Sequence, residues 1–448
     1  MTGAGRVTAR IAALALSLLC GLAATAPVRA QGPAPAPVAE DIERFAFPVV
    51  GLRARDIAVV VNDSDPSSVE IGRYYAAKRG IAADRIVHVR IAYNHTGVMG
   101  FGEWQRVKAV LDDKVGPDVQ AYAIAWTIPY RVECMSVTAA FALGFDPASY
   151  CAEGCQTTKM SSYFNTRGSA PFTEHKLRPA MLLAGKDVES VKQLIDRGVR
   201  SDESWPDGKA YLLNTTDRGR NVRAESFARV RSAIGNAYPV EVIDADSLEG
   251  KSDVMFHFTG WAVVPNMATN RFVDGAIADN LTSWGGALIG SQQTIALEWL
   301  NAGATGSYGT VTEPCNFRQK FPEVGVVMAH YLTGETLVEA YWKSVHMPGQ
   351  GVFVGDPLAR PFGGIRVRRV GNTIVVRTRS LWPGRYIVEA ARSQMGPFQP
   401  VGLLTASTFG VTEMKVQESN ARYFRLRLAP EAPKEAASAQ PSASSAPE

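Results

Sequence analysis

Ile57-Ala58-Val59-Val60-Val61 runs directly into Asn62-Asp63-Ser64-Asp65-Pro66-Ser67, and residues 67–79 then repeat their apolar positions at helical spacing. A short, continuous, β-branched run reads as a strand buried on both faces. The Asn/Asp/Ser cluster with Pro behind it supplies the turn and the N-cap that start a helix. The same unit recurs along the chain: strands at 86–91, 121–126, 180–184, 210–214, 240–243, 254–258, 305–308 and 351–354. Helical patterns at 103–115, 188–200, 223–235, 292–302, 324–332 and 336–345 alternate with them. This rhythm predicts an α/β fold, a mostly parallel sheet with helices on both faces.

After Pro361 the rhythm changes. Candidate strands at 365–370, 373–379, 385–391, 399–404 and 423–428 are separated by Gly, Pro, Asn and Ser with no helix between them, which predicts a small C-terminal β-sandwich over residues 363–428. The α/β domain is expected over 41–362. Ahead of it, Arg6 and Arg10, an apolar run and Val28-Arg29-Ala30 have the layout of a secretory signal peptide, residues 1–30, cleaved near Ala30. Residues 31–40, rich in Pro and Ala, read as a linker, and 429–448, built of Pro, Ala, Ser and Glu, as a disordered tail. A periplasmic or secreted protein with no stable membrane insertion is therefore expected.

The chain has 448 residues, 46% hydrophobic and 20% charged, which excludes wholesale disorder and a multi-span membrane protein. The formal charge of +4 falls to +1 without the signal segment, so net charge makes no case for nucleic acid. Export leaves Cys134, Cys151, Cys155 and Cys315, an even number in an oxidising compartment, and predicts two disulfides. Cys134 and Cys315 both fall just past the carboxyl ends of strands, so the preferred pairing is Cys134 with Cys315 and Cys151 with Cys155. Zinc ligation fits the spacing poorly, and no metal or cofactor is expected.

Ligands of open α/β sheets gather beyond the carboxyl ends of the strands. Polar residues there nominate a binding cleft of Asn62, Asp63, Ser64, Arg131, Glu133, Trp261, Gln292 and Glu313. The alternative is a hydrolase in which Cys315 attacks with His257 as base. No Walker lysine, glycine-rich fingerprint or Gly-x-Ser-x-Gly elbow accompanies either reading.

Phe256-His257-Phe258-Thr259-Gly260-Trp261, Gly285-Gly286-Ala287-Leu288, Ala302-Gly303-Ala304-Thr305-Gly306 and Phe353-Val354-Gly355-Asp356-Pro357-Leu358 occur in an order that resembles an uncharacterised family of exported proteins from bacteria with exosortase sorting systems. That resemblance spans residues 56–362 and implies envelope or matrix biology, with an unknown protein or carbohydrate partner. A second resemblance is to gingipain-type cysteine peptidases of the caspase-like clan, which follow a Gly-Asp-Pro strand end with an immunoglobulin-like domain. It implies a caspase/gingipain-like α/β body and an immunoglobulin- or fibronectin-like module. It also places Trp261 where the catalytic His belongs and leaves residues 288–294 without the nucleophilic Cys. A non-catalytic partner-binding protein, a pseudopeptidase, is the expectation.

Overall fold

The computed structural model describes residues 44–48, 51–92, 96–152, 154–417 and 421–430, all within one compact unit. The signal, the linker, His95 and all but the first two residues of the expected tail lie outside them.

Ten strands form the central sheet: β1 (Ile57–Asn62), β2 (Ile86–Val89), β3 (Ala121–Ile124), β4 (Ala180–Leu182), β5 (Lys209–Asn214), β6 (Val240–Asp244), β7 (Val254–Thr259), β8 (Phe272–Asn280), β9 (Gly306–Thr310) and β10 (Gly351–Gly355). Their order is β6-β5-β7-β8-β9-β10-β4-β3-β1-β2. Strands β6, β5, β7, β8 and β9 pair in parallel, as do β4, β3, β1 and β2. Strand β10 returns antiparallel to β9 and meets β4 at Val354 and Leu182. Every residue of β1, β7 and β10 is buried, which requires cover on both faces. Helices α1 (Pro66–Arg79), α2 (Phe101–Lys114), α3 (Val137–Leu143), α4 (Val188–Ser201), α5 (Phe227–Ile234), α6 (Ala296–Ala302), α7 (Val324–Leu332) and α8 (Leu337–Trp342) supply that cover.

Strand β8 has no counterpart in the sequence expectations. Asp274, Gly275, Asp279 and Asn280 interrupt its apolar pattern, yet Gly275 to Asn280 are buried because the strand runs through the middle of the sheet. The helix expected from 292 begins only at Ala296. Before it, Gln293 Oε1 accepts from Thr282 Oγ1 and Trp284 N, both at 2.8 Å, and holds residues 282–293 as a closed loop. That loop lies hard on β9: a Cβ at Gly309 would stand 2.1 Å from the Gly285 carbonyl carbon and one at Gly286 2.5 Å from the Gly309 carbonyl oxygen, which explains glycine at both positions.

The C-terminal strands β11 (Ile365–Val370), β12 (Thr373–Thr378), β13 (Gly384–Ala391), β14 (Gln399–Ala406), β15 (Thr412–Gln417) and β16 (Tyr423–Leu428) form two small sheets. One is β11-β12-β15, and the other is β16-β13-β14 with Phe45–Ala46 added parallel to β16. Their apolar faces share a separate core that includes Val367, Ile374, Val376, Met414, Val388 and Phe424. The segment at Phe45 therefore belongs to this core and not to the α/β body.

Candidate functional site

The ends of β1, β3 and β4 and the segment after β8 converge on a cleft of about 650 Å³. That is within the range, roughly 300–1,000 Å³, of small-ligand sites. Asp65 and Ser67 reach it from the start of α1, Trp126, Thr127 and Ile128 from the end of β3, and Gly185 to Val188 from the end of β4. Leu288, Ile289, Ile295, Leu297 and Glu298 close the far wall. Thr127 Oγ1 donates to the Gly185 carbonyl (2.9 Å) and accepts from its N–H (3.1 Å), tying two strand ends together at the floor.

Most of the wall is apolar. Two of its carboxylates already serve as helix caps: Asp65 Oδ1 accepts from Ser67 N (2.9 Å), and Asp187 Oδ1 from Ser190 N (2.8 Å). The Ser190 N–H pulls Asp187 below the usual carboxylate range, so it stays ionised at neutral pH. The cleft can hold an apolar group, with Lys186 and Glu298 as its remaining charged lining.

The eight sequence-nominated cleft residues are absent from this lining and form separate local contacts. Asn62 is buried, and its Oδ1 accepts from Ile91 N (2.9 Å) and Ser64 N (3.1 Å), so it fastens the turn after β1. Ser64 itself is exposed. Asp63 Oδ1 lies 2.6 Å from His88 Nδ1. Arg131 sits in a two-residue strand beside Val98, and Glu133 Oε1 accepts from Phe101 N at 3.2 Å. Glu313 Oε1 accepts from Cys315 N at 2.8 Å, and Gln292 is exposed.

Trp261 is partly buried against the main core, and its carbonyl accepts from Asn280 Nδ2 at 2.9 Å. The neighbouring Ala262 carbonyl accepts from Thr294 N (2.8 Å), so the segment after β7 lies beside residues 291–294. Gly260 serves close approach here: a Cβ would stand 2.1 Å from the Arg220 carbonyl oxygen.

The four cysteines form two disulfides with a connectivity other than the one expected: Cys134 with Cys151, and Cys155 with Cys315. Cys134 and the segment before Cys315 are indeed neighbours, since Thr312 Oγ1 donates to the Cys134 carbonyl at 3.3 Å. However, α3 and the turn at Pro147–Tyr150 bring the chain back, so Cys151 meets Cys134 and Cys155 takes Cys315. The Cys315–His257 pair is corrected by the same finding. Cys315 carries no thiol in this state, and His257 is 2% exposed, its Nδ1 3.3 Å from the Tyr211 carbonyl and its ring edge-on to Trp299. Desolvation pushes its pKa down to about 4.

A buried ion pair, not expected from the sequence, lies at the ends of β7 and β8. Arg223 Nη1 donates to Asp279 Oδ1 (2.7 Å) and Nη2 to the Thr259 carbonyl (2.8 Å), with both side chains within 5% of full burial. Burial raises the Asp279 pKa while Arg223 opposes it. The signal was present as a charge inside Ala276-Ile277-Ala278-Asp279. His330 similarly turns out to be a core residue of α7, 2.9 Å from Glu335 Oε2.

Among the described residues no helix is long and apolar enough to cross a membrane, and the two disulfides fit an oxidising compartment. No family model and no curated protein matches the chain in sequence. Among solved structures, the complex of the pro- and mature domains of Porphyromonas gingivalis RgpB is similar at a TM-score of 0.40 and 11% identity, covering 81% of this chain and 94% of that one. A structure described as a protease is similar at 0.36 and 10% identity, covering 83% and 97%. Neither similarity is close enough to assign a family or an activity.

Proposed function

We infer that this chain is an exported, non-catalytic protein with a gingipain-like α/β body and an immunoglobulin- or fibronectin-like C-terminal module, and that it holds a partner or ligand at the carboxyl edge of its sheet. The observation that carries this reading is the cleft of about 650 Å³, apolar along most of its wall, with Asp65 and Asp187 engaged as helix caps. Hydrolysis by a nucleophile needs that group beside a base. The pair nominated from the sequence consists of a half-cystine, Cys315, and a desolvated imidazole, His257, held below its ordinary pKa. Trp261, at the position that the peptidase resemblance gives to the catalytic imidazole, cannot take a proton from a thiol. Ser291 Oγ is used within its own loop, accepting from Gln293 N at 3.0 Å. The disulfides and the resemblance to exported proteins of exosortase-carrying bacteria support the envelope or extracellular matrix as the site of action, after cleavage near Ala30.

The test is a displayed-peptide selection against the oxidised protein. Peptides with apolar anchors are expected to bind, and to lose binding to Ile289→Glu, a change at a 38% exposed position of the cleft wall that should leave the unfolding midpoint in place. Turnover of a fluorogenic peptide library that disappears in Cys315→Ala would replace this reading with the hydrolase.

A further inference from the structure

The small C-terminal module is far more basic than the chain that carries it. Residues 363–428 contain ten arginines and one lysine against three glutamates, an excess larger than the +4 of the whole chain, so the remainder is net acidic. Strand register concentrates part of this charge on one surface. In the sheet β11-β12-β15, Val367, Val376 and Met414 point into the core, so their neighbours point outward. Arg366, Arg377 and Glu413 form one row on this face, and Arg368, Val375 and Lys415 the next, with Val375 buried at 3% exposure between its two cationic neighbours. All four cations are exposed, Arg377 by 46% and Lys415 by 67% at the side chain.

Glu413 is the one anion within these two rows, 4.0 Å from Arg377 and 3.4 Å from Lys415. Arg366 and Arg377 stand directly opposite each other, a like-charge pairing that disfavours the sheet. Within the molecule Glu413 stands beside Arg377, and Arg366 lies over the Trp205 ring at 4.2 Å and donates to the Ser204 carbonyl at 2.8 Å. Along β11 the outward positions repeat at about 6.6 Å, and Arg368 and Lys415 lie two strand spacings apart, about 9.6 Å. The result is a set of exposed cations spread over one sheet face.

We propose that this sheet face is a docking surface for an acidic polysaccharide, whose carboxylates pair with the guanidinium and ammonium groups of Arg366, Arg368, Arg377 and Lys415. Guanidinium groups bind carboxylates through two parallel N–H bonds, and cations spread across several strands match an extended polymer better than a compact ligand. The disulfides argue for a compartment where nucleic acid is not the resident polyanion. A lipid surface would call for several apolar side chains among the cations, whereas this face exposes one, Val370 at the end of β11, and the exposed pair Val401 and Leu403 belongs to the other sheet. The surface is independent of the cleft.

The experiment titrates the full, oxidised protein with polygalacturonate, with dextran as the neutral control, at two salt concentrations. Binding to polygalacturonate that weakens with salt, with none to dextran, is expected. The variant Arg368→Ser/Arg377→Ser/Lys415→Ser should lose on the order of tenfold or more in affinity and show a shallower salt dependence. Arg55→Ser/Arg73→Ser/Arg229→Ser removes the same charge from exposed positions of the α/β body and should bind as the parent does. If the first variant unfolds, Arg368→Gln/Lys415→Gln carries the same expectation. Equal losses in both triple variants, unchanged binding in the first, or no binding to polygalacturonate would overturn the proposal. Tighter capture of duplex DNA or of phosphatidylglycerol vesicles than of polygalacturonate would overturn it in favour of those ligands.

Discussion

The imidazole of His257 lies inside β7 with its edge against Trp299, and desolvation brings its pKa from 6.5 to about 4. Above pH 6.5 the group is neutral in both folded and unfolded chains and contributes nothing to pH dependence. As pH falls from 6.5 to 4 the unfolded chain takes up a proton that the folded one refuses, so stability drops through that window and levels off below it. The full loss approaches about 3 kcal/mol. Denaturation of His257→Phe across this range should give a flatter profile than the parent; identical slopes would mean that the folded imidazole titrates normally. A histidine in an apolar strand followed by Thr259-Gly260-Trp261 was legible as a site candidate, because His types that chemistry. Its disqualification was not, since burial depends on Trp299 and Tyr211, which are distant in sequence.

At the scale of elements, the loop from Cys134 to Cys155 is stapled twice, once to its own start and once to the segment after β9. The short bridge closes a sequence separation of 17 and the long one 160. In the chain-entropy account, loss of the long bridge costs about 5 kcal/mol and loss of the short one about 3 kcal/mol, because the larger loop restricts the unfolded chain more. Cys155→Ser/Cys315→Ser should therefore unfold at lower denaturant than Cys134→Ser/Cys151→Ser. Peptide mapping without reduction should recover Cys134 joined to Cys151; a peptide joining Cys134 to Cys315 would contradict the fold of this loop. The strands legible in the sequence were those with an unbroken apolar run, such as β1, or with clear alternation, such as β11. Strand β8 escaped because Asp274, Gly275, Asp279 and Asn280 break its apolar run, Asp279 being paired with Arg223 from another element, whereas β15 alternates as cleanly as β11 and was legible by the same rule.

Across the whole molecule, the first described strand meets the last. Phe45 stacks on Phe424 with ring centroids 5.2 Å apart, and Phe45–Ala46 extends the sheet through β16. Phe45→Ala is expected to cost about 3 kcal/mol, the usual scale for emptying a buried aromatic site. The loss should fall on the C-terminal module first, read as faster limited proteolysis of β13 to β16 while the α/β body stays intact. Uniform loosening would show that the two cores melt together. An α/β body followed by an all-β module, along with most strand and helix positions, was legible in the sequence, since alternation and helical period are local records of burial. Parallel strands end on one side, and a cleft of about 650 Å³ lies at the ends of β1, β3 and β4, lined by none of the eight residues nominated from the sequence. Tertiary contact set which residues line that cleft, which cysteine meets which, and which strand faces carry the arginines of 363–428. Each of these depends on register and contact between segments far apart in the chain. Locally, the alternatives are equivalent: any of the four thiols is a plausible partner, and a charge on β11 faces solvent or core according to pairing. The near-neutral sum over the chain hid a cationic face that appears only when β11, β12 and β15 are set side by side.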